Sequence, residues 1–169
     1  PANVVMLFRS PSLRAGALAD QPVQHLVVAG DRLSAARPVG ARQLPAPHTT
    51  PESLDLEMML AEMLEARVGA VAMEVSSHAL AQERVRGVHF DAALFTNLSR
   101  DHLDYHRDMD DYFAAKRKLF TDHLANSPKA KRSAIIHAAD PRGRELVNAL
   151  RGTDVDVWTY GEDPQWDVH

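Results

Sequence analysis

"FDAALFTNLSRDHLDYH", residues 90–106, runs from an apolar stretch into a loop crowded with Asp and His. A short apolar run bounded by polar residues reads as a buried strand. Thr96 and Asn97 close that strand, and Asp101, His102, Asp104 and His106 follow in its loop. The same layout occurs upstream, where "AVAMEVSS", 70–77, reads as a buried strand ending in Glu74, Ser76 and Ser77. Strands that are apolar on both faces and alternate with helices argue an α/β fold with a parallel, doubly wound sheet. In such a sheet ligands sit beyond the carboxyl ends of the strands. If these strands are parallel, their polar ends share one rim.

Helical patterns fill the intervals. "TTPESLDLEMMLAEMLEARVG", 49–69, opens with Thr49 and Glu52 at capping-box spacing, with Pro51 suited to a first turn. Leu56, Met59, Leu60, Met63 and Leu64 recur at helical spacing, and Gly69 is a C-terminal stop. "MDDYFAAKRKLFTDHL", 109–124, is a second helix with Asp108 as N-cap. "SAIIHA", 133–138, is a strand, "PRGRELVNALR", 141–151, a helix despite Gly143, and "DVDVWTY", 154–160, a last strand. Residues 1–48 contrast with this regularity. They hold six of the ten prolines, and only "HLVVAG", 25–30, reads as a strand, so the segment is expected to be irregular.

The 169 residues are enough for one domain with a core. A net charge of −4 gives no electrostatic reason to expect nucleic acid or an acidic membrane surface. No cysteine is present, which excludes disulfides and thiolate metal sites and suits a cytoplasmic location. No stretch approaches 18 apolar residues, and the N-terminus lacks a signal-peptide pattern, so no membrane association is expected.

Several residues are candidates for chemistry. Glu74 interrupts an apolar strand, and a buried carboxylate costs several kcal/mol unless paired or bound to metal. A surface Glu paired with Arg is the competing reading. The D-H-x-D-x-H cluster offers oxygen and imidazole ligands for Mg²⁺, Mn²⁺ or Zn²⁺, or is merely a polar loop before a helix. Lys116 falls on the apolar face of its helix, four residues from both Tyr112 and Phe120. Either its stem packs while its ammonium reaches water, or the amine is desolvated toward the rim. A neutral amine reacts with CO₂ to give a carbamate, a carboxylate-like metal ligand. Gln82 and Arg84 follow the first strand and suit an anionic substrate or an exposed turn. Asp140 is read as a helix cap.

Together "HTTPESLDL", "AMEVSSHAL.Q.R", "FTNLSRDHLDYH" and "DMDDYFAAKRKLF" closely resemble the central domain of a Mur ligase, of the MurE type, over roughly residues 45–162. The resemblance implies a P-loop-type α/β fold. It also implies an ATP-dependent ligase that joins a diamino acid, meso-diaminopimelate or L-lysine, to UDP-MurNAc-L-Ala-D-Glu in peptidoglycan synthesis. By the resemblance, Thr49, Thr50, Ser76, Gln82 and Arg84 bind the UDP-linked precursor. Glu74 and His102 are Mg²⁺ ligands, and Lys116 is the carbamylated, catalytic lysine. Asn97 belongs to the cofactor side of the signature, Asp101 and Asp104 to the same motif, and His106 lies outside the ligand set. A cytoplasmic monomer is expected.

The departures are as specific. The family's Gly-rich ATP loop should precede Thr49, yet no Gly-Lys pair occurs and no lysine precedes Lys116. The expected division is therefore a non-family segment, 1–44, and a partial central domain lacking the P-loop, 45–169. The isolated chain is expected to be inactive as a ligase. Two other classes remain open: a metal-dependent hydrolase built on the Asp-His cluster, and a non-catalytic module that binds the precursor.

Overall fold

The computed structural model describes the backbone of residues 4–9, 26–29, 32–37 and 40–45, and residues 48–65, 70–99 and 104–161 with their side chains. Eight strands form one sheet in the order β4-β3-β2-β5-β1-β6-β7-β8. They are β1 (Val4–Arg9), β2 (Leu26–Ala29), β3 (Arg32–Arg37), β4 (Gly40–Pro45), β5 (Ala70–Glu74), β6 (Ala92–Phe95), β7 (Ser133–His137) and β8 (Asp156–Tyr160). The helices are α1 (Ser53–Glu65), α2 (Ser77–Ala81), α3 (Met109–Lys118) and α4 (Pro141–Ala149), with a π-helical segment, Leu119–Leu124, continuing α3. No described helix is long and apolar enough to cross a membrane.

The α/β class and the parallel sheet are as the sequence implies. β6, β7 and β8 run parallel, as do β2 and β5. β1 is antiparallel to both β5 and β6, so those two strands point the same way. The carboxyl ends of β5, β6, β7 and β8 therefore share one rim. The sheet is nonetheless mixed, because β3 also pairs antiparallel with β2 and β4. Of the four N-terminal strands, the sequence reading anticipates only β2. β3, "RLSAAR", carries Ser and Ala in place of the β-branched and aromatic residues that announce a strand.

The core packs the sheet against the π segment and α4, and residues of α1, α2 and α3 complete it. Phe95, Phe120, Leu119, Leu124, Ile136 and Leu146 are fully buried, and Phe95 meets Phe120 edge to face with centroids 6.4 Å apart. Such aromatic pairs add about 0.5–1.5 kcal/mol beyond area burial. Asp108 caps α3, its carboxylate accepting from the Asp111 amide at 2.8 Å, as its sequence position implies. That hydrogen bond holds the Asp108 carboxyl below the ordinary carboxylate range. Arg142 joins the starts of α4 and α3. It contacts Asp110, pairs with Glu145 and lies over the Phe113 ring at 4.8 Å.

α1 starts later than the capping-box reading predicts. It begins at Ser53, with the Glu52 carbonyl accepting from Leu56 N at 2.9 Å. The Glu52 carboxylate, the second member of that box, pairs with Arg84 instead, which removes it from local capping. α2 and the π winding also lie beyond what the periodicity shows.

Gly143 is buried where α4 crosses β7. A Cβ there would stand 2.1 Å from the carbonyl oxygen of His137. Helix propensity alone favours Ala over Gly by ~1 kcal/mol, but overpacking against backbone costs ~1–3 kcal/mol. Gly143→Ala should therefore lower Tm, by roughly 2–4 °C for each kcal/mol in a chain of this length. Thermal melts of the two proteins check this, and an unchanged or raised Tm contradicts the packing.

His123 sits in the π segment against Phe90, ring centroids 6.4 Å apart, with Nε2 buried and lacking a hydrogen-bond partner. Burial pushes its imidazolium pKa below 6.5, against the opposing pull of Glu83 and Asp122. Between that lowered value and 6.5 the unfolded chain binds more protons, so stability must fall as pH drops through this window. Urea midpoints should decrease from pH 7.5 to 5.5, and His123→Gln should flatten the slope.

Candidate functional site

The site is built on the shared rim. Val5 of β1 pairs with Glu74 and Val4 with Phe95. One strand thus separates the ends of β5 and β6, which lie two strand spacings apart, about 9.6 Å. Both strands leave the sheet on this rim, on either side of β1, and are followed by polar residues.

At the end of β5, Thr50 is 1% exposed and binds the strand terminus from the side. Its hydroxyl donates to the Glu74 carbonyl at 3.1 Å and accepts from the Ser76 amide at 2.9 Å. Ser76 then caps α2, its Oγ accepting from Ala79 N at 3.2 Å. α2 ends within one turn. Arg84 N donates to Ala79 O at 2.9 Å and Glu83 N to Leu80 O at 3.4 Å, a Schellman closure. Glu83 takes the left-handed position at φ 56°, which costs a non-glycine residue about 1–2 kcal/mol.

This turn sends Arg84 back across the start of the segment. Its Nη1 donates to Thr50 O at 3.1 Å, Nη2 pairs with Glu52 at 2.8 Å, and Nε donates to Gln82 Oε1 at 2.8 Å. Gln82 Nε2 in turn reaches the Tyr105 hydroxyl at 3.5 Å. Thr50, Ser76, Gln82 and Arg84 are thus one connected group beside the half-buried Glu74. Thr49 is partly exposed next to them, and Asn97 is exposed beyond β6.

Lys116 is 2% exposed, among the most completely buried side chains described. Its Nζ lies 5.5 Å from the centroid of the Tyr112 ring. The apolar-face position read from the spacing is therefore a buried position, and snorkelling to water is not what the amine does. Asp101 and His102 lie outside the described residues, and Asp104 is exposed. Among the described residues no group of three His, Cys, Asp or Glu is arranged to hold a metal. Asp140 does more than the cap expected of it. Its Oδ1 accepts from Arg142 N at 2.7 Å, while Oδ2 accepts from Leu98 N at 3.0 Å and fastens the loop after β6. Tyr160 donates to Phe95 O at 3.2 Å on the same rim, and burial pushes its phenol pKa up.

The sequence reading takes His106 for a loop residue outside the ligand set, and it passes over His78 and Tyr105. His106 is 3% exposed and touches Ser77 and Asp111. His78 and Tyr105 face each other with centroids 4.0 Å apart. All three arise from contacts between α2 and the segment before α3, and local sequence carries no signal of them.

The profile of the Mur ligase middle domain matches residues 16–169. The chain belongs to the Mur ligase family. The match begins inside the N-terminal segment that the sequence reading sets apart. Similar curated proteins are UDP-N-acetylmuramoyl-L-alanyl-D-glutamate--2,6-diaminopimelate ligases. That of Geobacter metallireducens (strain ATCC 53774 / DSM 7210 / GS-15) is 52% identical over 74% of this chain and 24% of its own length. That of Geobacter sulfurreducens (strain ATCC 51573 / DSM 12127 / PCA) is 51% identical over 64% of this chain and 21% of its own. A solved structure of a ligase with the same name superposes with a TM-score of 0.67 at 29% identity, covering 85% of this chain and 28% of that one. This Mur ligase chain spans about a quarter of the length of the curated relatives it matches.

Arg84 is the hub of the polar group, and three nitrogens of one guanidinium serve three acceptors. Lys offers one nitrogen and no fork. Arg84→Lys keeps at most one of the three contacts and should lose about 1–3 kcal/mol, at ~0.5–1.5 kcal/mol for each of the two net hydrogen bonds removed. Urea denaturation measures the loss, and an unchanged midpoint would show the fork to be dispensable.

Proposed function

We propose that this chain is the precursor-binding and metal-binding part of a UDP-N-acetylmuramoyl-L-alanyl-D-glutamate ligase of the MurE type, acting in the cytoplasm in peptidoglycan synthesis. The observation that carries the reading is the burial of Lys116 on the helix that packs against α2, beside a rim where Thr50, Ser76, Gln82 and Arg84 are already assembled. The names of the relatives favour 2,6-diaminopimelate as the amino acid added, over L-lysine. In this reading residues 45–169 supply every site residue and 1–44 supply none.

The precursor carries carboxylates and a pyrophosphate. Arg84 and Gln82 suit such groups through charge-assisted and amide hydrogen bonds, and Thr49, Thr50 and Ser76 add hydroxyls and the backbone around them. Burial opposes the ammonium form of Lys116. The neutral Nζ lone pair then attacks CO₂, an N–C bond forms, and one nitrogen proton leaves to solvent, giving an N-carboxylate. Glu74, His102 and that carbamate would supply oxygen donors and one imidazole, a donor chemistry that suits Mg²⁺. A bound Mg²⁺ would offset negative charge developing on a phosphoryl oxygen. Asn97 is assigned to the nucleotide side. The chain does not fit ATP by itself, because no Gly-Lys pair exists to form the phosphate cradle. The 169-residue chain is therefore read as binding precursor without ligating it, as a monomer.

Titration calorimetry with UDP-MurNAc-L-Ala-D-Glu should show binding to the purified chain, weakened at least tenfold in Arg84→Ala. With ¹³C-bicarbonate, a carbamate resonance should appear and vanish in Lys116→Arg. Equal affinity in the Arg84→Ala protein would remove the precursor site. A carbamate resonance that survives Lys116→Arg would remove the lysine's role.

A further inference from the structure

His106 occupies a place that the ligase reading does not use. Its ring is buried, with Nε2 2.8 Å from Ser77 Oγ and Nδ1 3.4 Å from Asp111 Oδ2. The tautomer carrying its proton on Nδ1 satisfies both contacts: Nδ1–H points to the carboxylate, and Nε2 accepts from the Ser77 hydroxyl. The order serine, histidine, aspartate is that of an acyl-transfer triad. Burial decides against that chemistry. Ser77 is 0% exposed, so no substrate reaches its Oγ.

The other face of the ring points to a different role. It stacks on Tyr112, centroids 5.3 Å apart and planes inclined by 29°. The same Tyr112 ring is the one 5.5 Å from Lys116 Nζ, one helical turn on. Ser77 directly follows Ser76, the α2 cap bonded to Thr50. A continuous set of contacts thus runs from the proposed precursor site, through Ser77 and His106, to Tyr112 and the lysine. A neutral buried imidazole needs two partners, one for its N–H and one for its other nitrogen; the stacking on Tyr112 goes beyond that need. This one is held at both nitrogens and from one face, across 29 residues of sequence to Ser77.

We propose that His106 is a positioning residue, which fixes the Tyr112 ring and through it keeps the Lys116 amine at the buried place where carbamate forms. The proposal rests on the reading of Lys116 given above. It adds Ser77 and Asp111 as the groups that set the tilt of the ring.

The test uses the intact chain, which contains four lysines: Lys116, Lys118, Lys129 and Lys131. Brief acetylation with acetic anhydride, read by peptide mass spectrometry, compares Lys116 with the other three as internal standards. In the parent chain Lys116 should label at least tenfold more slowly. Ser77→Ala and His106→Phe each remove the Ser77–His106 hydrogen bond; one keeps the imidazole and the other keeps a stacking ring. Both should raise Lys116 labelling at least fivefold with the other lysines unchanged. Both should also lower ¹³C-carbamate per folded chain at fixed bicarbonate at least fivefold, with folded fraction read by circular dichroism. Uniform labelling of all four lysines in the parent chain overturns the proposal, since the burial it depends on is then missing. Folded variants whose Lys116 labelling stays within twofold of the parent overturn it as well. If the parent shows no carbamate but the variants open Lys116 to acetylation, the positioning role stands and the carbamate reading falls.

Discussion

The Thr50 hydroxyl closes the end of β5, and the rest of the rim follows from it. A strand that leaves its sheet exposes carbonyl and amide groups the ladder no longer serves. At Glu74 and Ser76 both groups are taken up by one oxygen, from a residue 24–26 positions earlier. With the backbone held there, Ser76 is free to cap α2. α2 ends in a Schellman turn, and Arg84 returns to the Thr50 carbonyl. The loop is closed on itself: each member fixes the next, and the last fixes the first.

Much of the architecture was legible because it is local. Apolar runs ending in polar residues marked β5 and β6, and Asp108 and Asp140 announced α3 and α4 by ordinary capping chemistry. Lys116 stood out because helical spacing placed a cation among Met109, Tyr112, Phe113 and Phe120, and its burial follows from that same spacing. The capping box at Thr49 was locally persuasive and did not form, since α1 starts only at Ser53 and Glu52 pairs with Arg84. His106 was unreadable for a related reason. In sequence it is one polar residue in a polar loop, and its burial comes from Ser77, 29 residues away. The short helix α2 falls below the length at which periodicity carries information.

The strand β1 shows how an unexpected element can leave the site's logic intact. It runs against its neighbours, yet because it opposes both of them equally, β5 and β6 still emerge on the same side. Fold class alone would not have located the function. The proposed site rests instead on the connected polar group around Arg84, where β5 ends, and on the enclosed Lys116.

The π-helical winding of Leu119–Leu124 has a consequence for how this helix tolerates change in length. Each π turn holds more residues than an α turn, so the segment behaves as a stored insertion. It brings Leu124 under the sheet after Leu119 and Phe120, and leaves His123 half-covered. Removing one residue between Thr121 and His123 would let the helix rewind to α geometry. An insertion there would have no such reserve to draw on. Length variation in this helix is therefore asymmetric: the segment has slack in one direction only.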